Sequence, residues 1–255
     1  MTISVPALEV VMADGWRAME EDRLGDWLLR ASLGFTQRGN SALTVGNPGI
    51  DVTAAVDVVE QWYAARSLPA RLCLVTDAAG TVAEAQVLET LLARGYVPAS
   101  ATLCMTAATA DLPPLTEDSP AVVADARLSR DWLAAFAAYR PIVPAAAEAI
   151  LTGSRSQLFL SVADDGGPAP VAIARMSIYP GWAGVHAMWV SPARRREGLA
   201  SAIIGAVALL GEQHHMPRAY LHVERANEVA RAAYARMGFR PHHGHVYLTR
   251  PAPRG

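Results

Sequence analysis

Residues 195–201 combine the residue types that bind an anion. Arg195 and Arg196 stand shortly before Gly198 and the small residue Ala200, and apolar residues then recur at helical spacing from Leu199 to Leu210. The first turn of a helix offers unpaired N–H groups and the positive end of the helix dipole, and a glycine allows an anion to approach closely. The segment therefore predicts an anion site, with an ordinary solvated basic loop as the alternative.

The elements around this turn fix its position. An apolar run over residues 185–190 predicts a strand, which ends at Ser191 because Pro192 cannot donate to a ladder. The anion site thus lies between a strand and a long helix. A further strand is predicted over residues 219–224 and a helix after Asn227, which is a good N-cap residue.

Two spacings in this region resemble the GNAT N-acetyltransferase superfamily. Residues 195–200 match its Arg-x-x-Gly-x-Ala motif, and residues 227–239 match its second motif, Asn-x-x-Ala-x-x-x-Tyr-x-x-x-Gly-Phe. The resemblance implies an α/β fold with a mixed sheet, acetyl-CoA as the acyl donor and transfer to an amine. It covers residues 121–255 well and the first third weakly.

The resemblance also implies which residues hold the coenzyme. The pantetheine arm is expected to pair with the backbone of a strand segment, and the pyrophosphate to lie on backbone N–H groups of the turn and the first helical turn. Asn227 and Tyr234 are expected to touch the coenzyme as well. The strand segment expected at the pantetheine arm is Met188, Trp189 and Val190. The residues expected at the pyrophosphate are Arg195, Arg196, Glu197, Gly198, Leu199, Ala200 and Ser201.

Three side chains are candidates for proton transfer. The motif implies that Tyr234 protonates the departing thiolate, the alternative being an aromatic packed on the buried side of its helix. The superfamily commonly carries a glutamate on the motif strand, and His186 stands there instead, four residues before Val190 and so expected on the same side of the strand. Glu224, at the end of the next strand, is the rival base, and an ordinary structural role for His186 stays open.

Composition limits the other functions. The chain has 255 residues with 52% hydrophobic and 18% charged residues and a net charge of -2, which is typical of a globular protein without a general attraction to nucleic acid or membranes. No apolar run of transmembrane length and no signal peptide is recognisable, so a cytoplasmic protein is predicted. Cys73 and Cys104 are expected to be buried thiols, and no metal is predicted despite the histidines around His242. These histidines are expected in a loop before the last strand, where the resemblance implies a place beside the acceptor.

The first third has a weaker pattern. A helix is predicted over residues 12–24 with Asp14 as its cap, followed by alternating strands and helices. Residues 89–106 parallel residues 234–249: each is a helix ending in glycine and an aromatic residue, then a proline and a strand. The pattern suggests two tandem GNAT-like halves with the CoA signature only in the second, and a chance likeness is the alternative.

The predicted organisation follows from these patterns. Residues 1–110 form a degenerate GNAT-like domain, the proline-rich and acidic residues 111–120 form a linker, and residues 121–255 form the catalytic domain. The predicted function is acetyl-CoA-dependent N-acetyl transfer to a small-molecule or peptide amine, and the alternative is a non-catalytic module that binds or senses acyl-CoA. Two roles are open for the first third, a wall of the acceptor pocket or a homodimer surface.

Overall fold

The computed structural model describes residues 3–164 and 167–250, which form seven α-helices and eleven strands. The helices are α1 (Val5–Gly15), α2 (Val52–Ala64), α3 (Ala85–Ala93), α4 (Arg130–Tyr139), α5 (Pro144–Thr152), α6 (Leu199–Gln213) and α7 (Glu228–Arg236). The strands are β1 (Glu20–Leu24), β2 (Trp27–Ala31), β3 (Ala42–Leu43), β4 (Arg71–Thr76), β5 (Val97–Ala108), β6 (Val123–Asp125), β7 (Gln157–Asp164), β8 (Gly167–Tyr179), β9 (Trp182–Val190), β10 (Arg218–Glu224) and β11 (Arg240–Thr249).

All eleven strands of the described residues belong to one mixed sheet in the order β1-β2-β3-β4-β11-β5-β10-β9-β8-β7-β6. The last strand, β11, lies between β4 and β5, and β5 in turn pairs with β10. Strands from the two ends of the chain therefore interleave. The division at residues 111–120 stays a prediction, and the structure adds that the two halves share their central strands.

Helices cover both faces of this sheet. On one face, α6 contributes Ile203 and Val207 to a core that also contains Leu221. On the other face, α4 and α5 pack against β7 and β8, and α1 packs against β8 and β9. Full burial of one such aliphatic side chain stabilises the fold by roughly 1.5–3 kcal/mol, so these cores hold the central strands in place.

A buried arginine fastens α1 to the C-terminal half. Arg175, on β8, donates to the carbonyl oxygens of Leu151 at 2.6 Å and Gly15 at 2.7 Å, and to the hydroxyl of Ser154 at 2.6 Å. The two carbonyls lie near the C-terminal ends of α5 and α1, where the helix dipole favours a cation. Burial lowers the pKa of Arg175 to about 10, so the guanidinium still carries its charge at neutral pH.

The predicted helix over residues 12–24 is wrong. Helix α1 begins earlier, with Ser4 as its cap and a proline in its first turn, and it ends at Gly15. Residues 20–24 form the edge strand β1, whose side chains are nearly all exposed. This strand has no buried face, so it lacks the alternation of apolar and polar residues by which a strand is recognised.

Two further features concern the cysteines and membranes. Cys73 and Cys104 are free and buried, as predicted, and burial raises the pKa of both thiols. Within residues 3–164 and 167–250, no single helix is long and apolar enough to cross a membrane; α4 and α5 together have the length and composition, but they meet at a bend of 115°.

Candidate functional site

The site is built where β9 and β10 separate. These parallel strands pair only from Trp182 and Arg218 to Val185 and Leu221, and the ladder ends there although both strands continue. The edges of residues 186–190 and 222–224 therefore face a gap in the middle of the sheet. Free backbone N–H and C=O groups at such an edge are ready to pair with an extended ligand.

A β-bulge in β9 marks the beginning of the gap. The register between β8 and β9 shifts between Ile173 and Arg175, and Ala187 adopts a φ of +51°, which is uncommon for a residue other than glycine. The hydroxyl of Tyr139 donates to the carbonyl oxygen of Ala187 at 3.3 Å, and the Tyr139 ring stacks on Trp189 with centroids 5.7 Å apart. Helix α4 thus holds the bulge in place.

The bulge corrects one expectation from the sequence. His186 was predicted to share a side of the strand with Val190, but the extra residue reverses the alternation between them. Val190 and Met188 pack against the core on the α6 face, whereas His186 packs against Trp16 on the opposite face. His186 therefore lies on the side of the sheet that α1 covers.

The predicted anion turn lies open at the start of α6. Arg196 and Gly198 both have positive φ values, +69° and +79°, and Gly198 is the N-cap of α6 without a capping side chain. The first α-helical hydrogen bond runs from the Ala202 N–H to the Gly198 carbonyl, so the N–H groups of residues 199–201 have no helical acceptor. A turn of this kind suits a phosphate group.

The three arginines of this turn differ in their surroundings. Arg194 pairs with Asp164 and Glu197, which makes it part of the turn's own structure. Arg195 and Arg196 are exposed and are free to follow a ligand. Leu199 is buried in the core below, so only its backbone faces the turn. The residues present fit a pyrophosphate.

A cavity of about 700 Å³ extends from the gap to the other face of the sheet. Its first wall comes from β9, β10 and α7, and its second from α4. Residues of the first third, β5 and β11 complete it. The first wall includes Val185, His186, Ala187, Met188, His222, Val223, Glu224, Asn227, Ala230 and Tyr234. The second wall includes Phe136, Tyr139 and Arg140. The remaining lining residues include Trp16, Thr36, Gln37, Arg38, Arg71, Ser100, Thr102 and Tyr247.

The cavity brings several predicted residues together. Tyr234, Asn227, Glu224, His186 and Met188 all line it. The other predicted coenzyme contacts, Trp189, Val190 and the turn 195–201, are not among its walls and lie further along β9 and α6. The predicted residues therefore form two neighbouring groups, one at the gap and one at the turn.

Tyr234 lies on α7 at the edge of the cavity. Its ring is partly buried against the α6 core and lies 6.0 Å from the ring of Phe239. Burial raises the pKa of Tyr234 to about 12, so the hydroxyl is protonated at neutral pH. Packing and proton donation, offered as alternatives from the sequence, are both compatible with this position.

Asn227 caps α7 as predicted, because its side-chain oxygen accepts from the Ala230 N–H at 3.0 Å. Glu224 ends β10, three residues earlier, and its side chain is exposed within the cavity wall. Its backbone pairs with Thr102 of β5, and the carbonyl oxygen of Glu224 accepts from the Asn227 N–H at 2.9 Å. The strand end and the helix cap are thus linked directly.

His186 occupies a different environment from Glu224. Its Nε2 lies 3.0 Å from the Ser177 hydroxyl and 3.4 Å from that of Tyr220, and only 5% of the residue is exposed. Burial, and then the charges of Arg175 and Arg38, hold the pKa of His186 well below its ordinary value. The imidazole is therefore neutral at neutral pH and weakly basic.

The histidines near the C-terminus are not in a loop, as the sequence had suggested, but on β11 itself. His243 and His245 are buried, and the Nε2 atoms of both lie 2.6 Å from the same carboxylate oxygen of Glu9 on α1. His242, His243 and His245 are not among the cavity walls. Glu9 is a partner that the sequence pattern did not reveal, since nothing in the first helix indicates contact with the last strand.

Glu9, His243 and His245 place three potential ligand atoms within 4.8 Å of one another. Their 2.6 Å separations are those of short hydrogen bonds to a carboxylate. Burial alone would raise the pKa of the Glu9 carboxyl, but the two histidines and their hydrogen bonds lower it. The group therefore has a structural role as a buried hydrogen-bonded cluster. That the chain binds no metal stays a prediction.

This fold and site define the chain as a member of the GNAT acetyltransferase class, which uses acyl-CoA donors. The open N-terminus of α6 and the Asn227 cap of α7 lie where its two motifs place them, and the structure adds the gap between two parallel strands and the bulge at its beginning. A family model described as "Probable histone acetyltransferase Rv0428c C-terminal" matches residues 2–248, and the chain belongs to this family.

Solved structures show the same fold. A GCN5-related N-acetyltransferase from Kribbella flavida has a TM-score of 0.68 at 18% identity, covering 98% of this chain and 97% of that one. A tandem GNAT protein from the clavulanic acid biosynthesis pathway has a TM-score of 0.65 at 14% identity, with 84% and 76% covered. A GCN5-related N-acetyltransferase from Sphaerobacter thermophilus has a TM-score of 0.58 at 19% identity, with 78% and 68% covered. Curated proteins give no match.

Proposed function

We propose that this chain transfers an acetyl group from acetyl-CoA directly to the primary amine of an acceptor. The observation that carries the proposal is that Glu224 and Tyr234 line one cavity at the point where β9 and β10 separate. A carboxylate and a phenol, which we assign below as base and acid, therefore stand beside the gap in which a thioester would lie. The family description names a histone acetyltransferase, so a histone lysine is one acceptor within this proposal.

Acetyl-CoA supplies the activated carbonyl, and the chain supplies the surfaces that orient it. The free backbone edge of residues 188–190 would pair with the pantetheine arm. The N–H groups of residues 199–201, with Arg195 and Arg196, would hold the pyrophosphate. A backbone N–H at Met188 or Val190 would stabilise negative charge on the carbonyl oxygen as the amine nitrogen attacks.

Glu224 is the residue that we assign as the base. It is an exposed carboxylate in the cavity wall, and it takes a proton from the amine directly or through water. His186 is less suited, because its depressed pKa makes it a weak base and its Nε2 already contacts two hydroxyl groups. We assign His186 a positioning role, in which it holds the hydroxyl groups of Ser177 and Tyr220 in place beside the cavity.

Tyr234 is the residue that we assign as the acid. As the new C–N bond forms and the C–S bond breaks, the Tyr234 hydroxyl gives its proton to the departing sulfur. Its pKa of about 12 keeps that proton in place until the thiolate develops. Proton transfer by a positioned side chain contributes about 10²- to 10⁴-fold to a rate.

The experiment is release of CoA from acetyl-CoA with a panel of amines, for the native chain and for Tyr234→Phe. The native chain is expected to release CoA with at least one amine, and Tyr234→Phe to lower kcat by about 100-fold or more with little change in acetyl-CoA affinity. Glu224→Gln is expected to lower kcat as well, because the amide cannot take a proton from the amine. The shape of Phe matches that of Tyr, so folding is not at risk.

A non-catalytic module that binds acyl-CoA is the other class of function, and the absence of a glutamate on β9 is what favours it. The same measurements separate the two. Tight binding of acetyl-CoA by calorimetry without turnover of any amine would reject the enzyme. Undiminished turnover by Tyr234→Phe would reject only the assignment of the acid.

A further inference from the structure

Three arginines line the cavity. Arg38 lies on the 3-10 turn Arg38–Asn40, Arg71 begins β4, and Arg140 follows α4. Among the described residues, 3–164 and 167–250, none of the three forms an ion pair with a carboxylate within 4 Å. Glu224 is the one carboxylate in the wall as described, so the cavity carries an excess of positive charge.

Arg38 and Arg71 are held in place rather than free in solvent. The Arg38 guanidinium lies 5.5 Å from the centre of the Trp16 ring, and Arg71 donates to the Asn40 carbonyl at 3.2 Å. Within the described part of the chain, Arg38 Nη1 and Arg71 Nε are buried without a hydrogen-bond acceptor. A buried donor without a partner costs about 1–3 kcal/mol in general, so both arginines are poised for an acceptor group that a ligand would bring.

The positive field reaches the residues at the gap. Burial, and then the charge of Arg38, lower the pKa of His222, and Arg38 has the same effect on His186. Burial also lowers the pKa of Arg71, which reflects the cost of a cation without a counter-charge. An anion bound here would relieve that cost.

These arginines are separate from the turn predicted for the pyrophosphate. Residues 195–201 are not among the cavity walls, and α6 packs on the face of β9 formed by Val185 and Met188. Arg38 lies beside Trp16 and near His186, on the opposite face. A coenzyme that lies on the α6 turn would therefore approach the gap from one side, and the arginines face whatever enters from the other.

We propose that the acceptor is an amine that also carries an anionic group, a carboxylate or a phosphate, which Arg38 and Arg71 bind while the amine points toward Glu224. Guanidinium groups bind both kinds of oxyanion through paired N–H donors. A lysine within a strongly basic peptide would instead meet repulsion in this cavity, so this inference narrows the acceptors that the proposed function allows. The inference rests on the proposed function and specifies its substrate class.

The test compares matched amines in the CoA-release assay. Glycine is paired with glycinamide, and phosphoethanolamine with ethanolamine, so each pair differs in the anionic group and the two pairs distinguish carboxylate from phosphate. At least one anionic member is expected to have a kcat/KM about 10- to 100-fold above its partner, the size of a charge-assisted hydrogen bond. Glycinamide has the less basic amine, so amine reactivity alone would favour the neutral member.

Arginine variants localise the preference. Arg38→Gln and Arg71→Gln are expected to raise the KM for the anionic amine about tenfold and to leave the KM for acetyl-CoA unchanged. Arg38→Lys should restore part of the preference, and the exposed Arg127→Gln, away from the cavity, is the matched control. Arg140→Gln changes the third arginine of the cavity, which is exposed, and it is expected to have a smaller effect on the KM for the anionic amine than Arg38→Gln or Arg71→Gln. Thermal unfolding verifies that each variant is folded.

The outcomes separate this inference from the proposed function. Equal kcat/KM within both pairs, or a rise in the KM for acetyl-CoA instead of the amine, overturns the anionic acceptor and leaves the enzyme intact. If no amine is turned over, the proposed function fails. The anion site is then judged by calorimetry alone. Either N-acetylglycine must bind the native chain more tightly than N-acetylglycinamide, or phosphoethanolamine more tightly than ethanolamine, and the anionic member must bind Arg38→Gln more weakly than the native chain; otherwise the inference is wrong.

Discussion

The indole ring of Trp16 packs against the imidazole ring of His186, with centroids 5.4 Å apart. Trp16 follows α1 in the first third of the chain, whereas His186 lies on β9 at the gap. The same indole lies below the guanidinium of Arg38. The first third therefore forms a wall of the candidate site, which is one of the two roles that the sequence left open for it.

The interleaved strands predict that residues 121–255 are not stable alone. Removing residues 1–120 would take away β5, which pairs with both β10 and β11, and β4, which pairs with β11. Two central strands would then expose unpaired edges. We expect the fragment to be insoluble or to unfold without a cooperative transition, and co-expression with residues 1–120 to restore a folded complex. Circular dichroism with thermal unfolding is the measurement, and a cooperative melt of the isolated fragment would contradict the prediction.

Buried histidines predict that stability falls in mild acid. The pKa values of His186 and His222 are lowered by burial, so below about pH 6.5 the unfolded chain binds protons that the folded chain does not. The stability that these histidines contribute is fully present above that pH and is lost as the pH falls. The free energy of unfolding in urea should decrease between pH 7 and pH 5.

The His186→Gln variant measures the share of one histidine in this loss. Each group that remains neutral in the folded state contributes up to about 1.4 kcal/mol per pH unit. The variant should flatten the dependence of unfolding free energy on pH by up to that amount, and the exposed His214→Gln should not. An identical slope for native chain and His186→Gln would show that His186 is protonated in the folded state.

Much of the local structure of residues 185–239 could be predicted from the sequence, because strand, turn, helix and cap each have local signals. Gly198 at a positive φ and Asn227 at the start of α7 lie where the pattern places them. The wall of the cavity that the first third contributes could not be predicted in this way. Arg71 reaches the cavity through the pairing of β4 with β11, and Trp16 through the packing of α1 on β8 and β9. Contacts between residues so distant in sequence leave no periodic trace.

The bulge at Ala187 is a second feature that the sequence could not predict. A strand with an inserted residue has the same composition as one without it, so the side on which His186 lies could not be read from spacing alone. The prediction for edge strand β1 was wrong for a related reason, since its exposed residues show no alternation of apolar and polar side chains. Local signals predict helices and strands well. Irregularities that set the direction of a side chain can be located only when the neighbouring strands are known.

The Glu9 cluster predicts a large cost for removing one carboxylate. Glu9 is 5% exposed and accepts from both His243 and His245, so Glu9→Ala leaves two buried rings without their acceptor. Breaking a buried charge pair on one side costs about 3–5 kcal/mol. Urea unfolding at pH 7 should show a loss of that size, against less than about 0.5 kcal/mol for the exposed Glu148→Ala. A loss near that of the control would mean that the cluster does not hold α1 to β11.

Gly198 offers a test in which backbone conformation is separated from crowding. Its φ is +79°, and an added Cβ would meet no atom within 4 Å, so Gly198→Ala changes the preferred backbone geometry and little else. Gly181, at the turn before β9, has a φ of +77° and equally open surroundings, which makes Gly181→Ala a matched control. Both variants should lose about 1 kcal/mol of stability in urea unfolding.

The two glycine variants should differ in their use of the acyl donor. Because Gly198 shapes the N–H groups at the start of α6, Gly198→Ala is expected to raise the KM for acetyl-CoA about tenfold, whereas Gly181→Ala leaves it unchanged. Calorimetry with CoA provides the same comparison without turnover. Equal affinities for CoA in the two variants would mean that the pyrophosphate does not lie on this turn, and the coenzyme would then have to be placed elsewhere along the gap between β9 and β10.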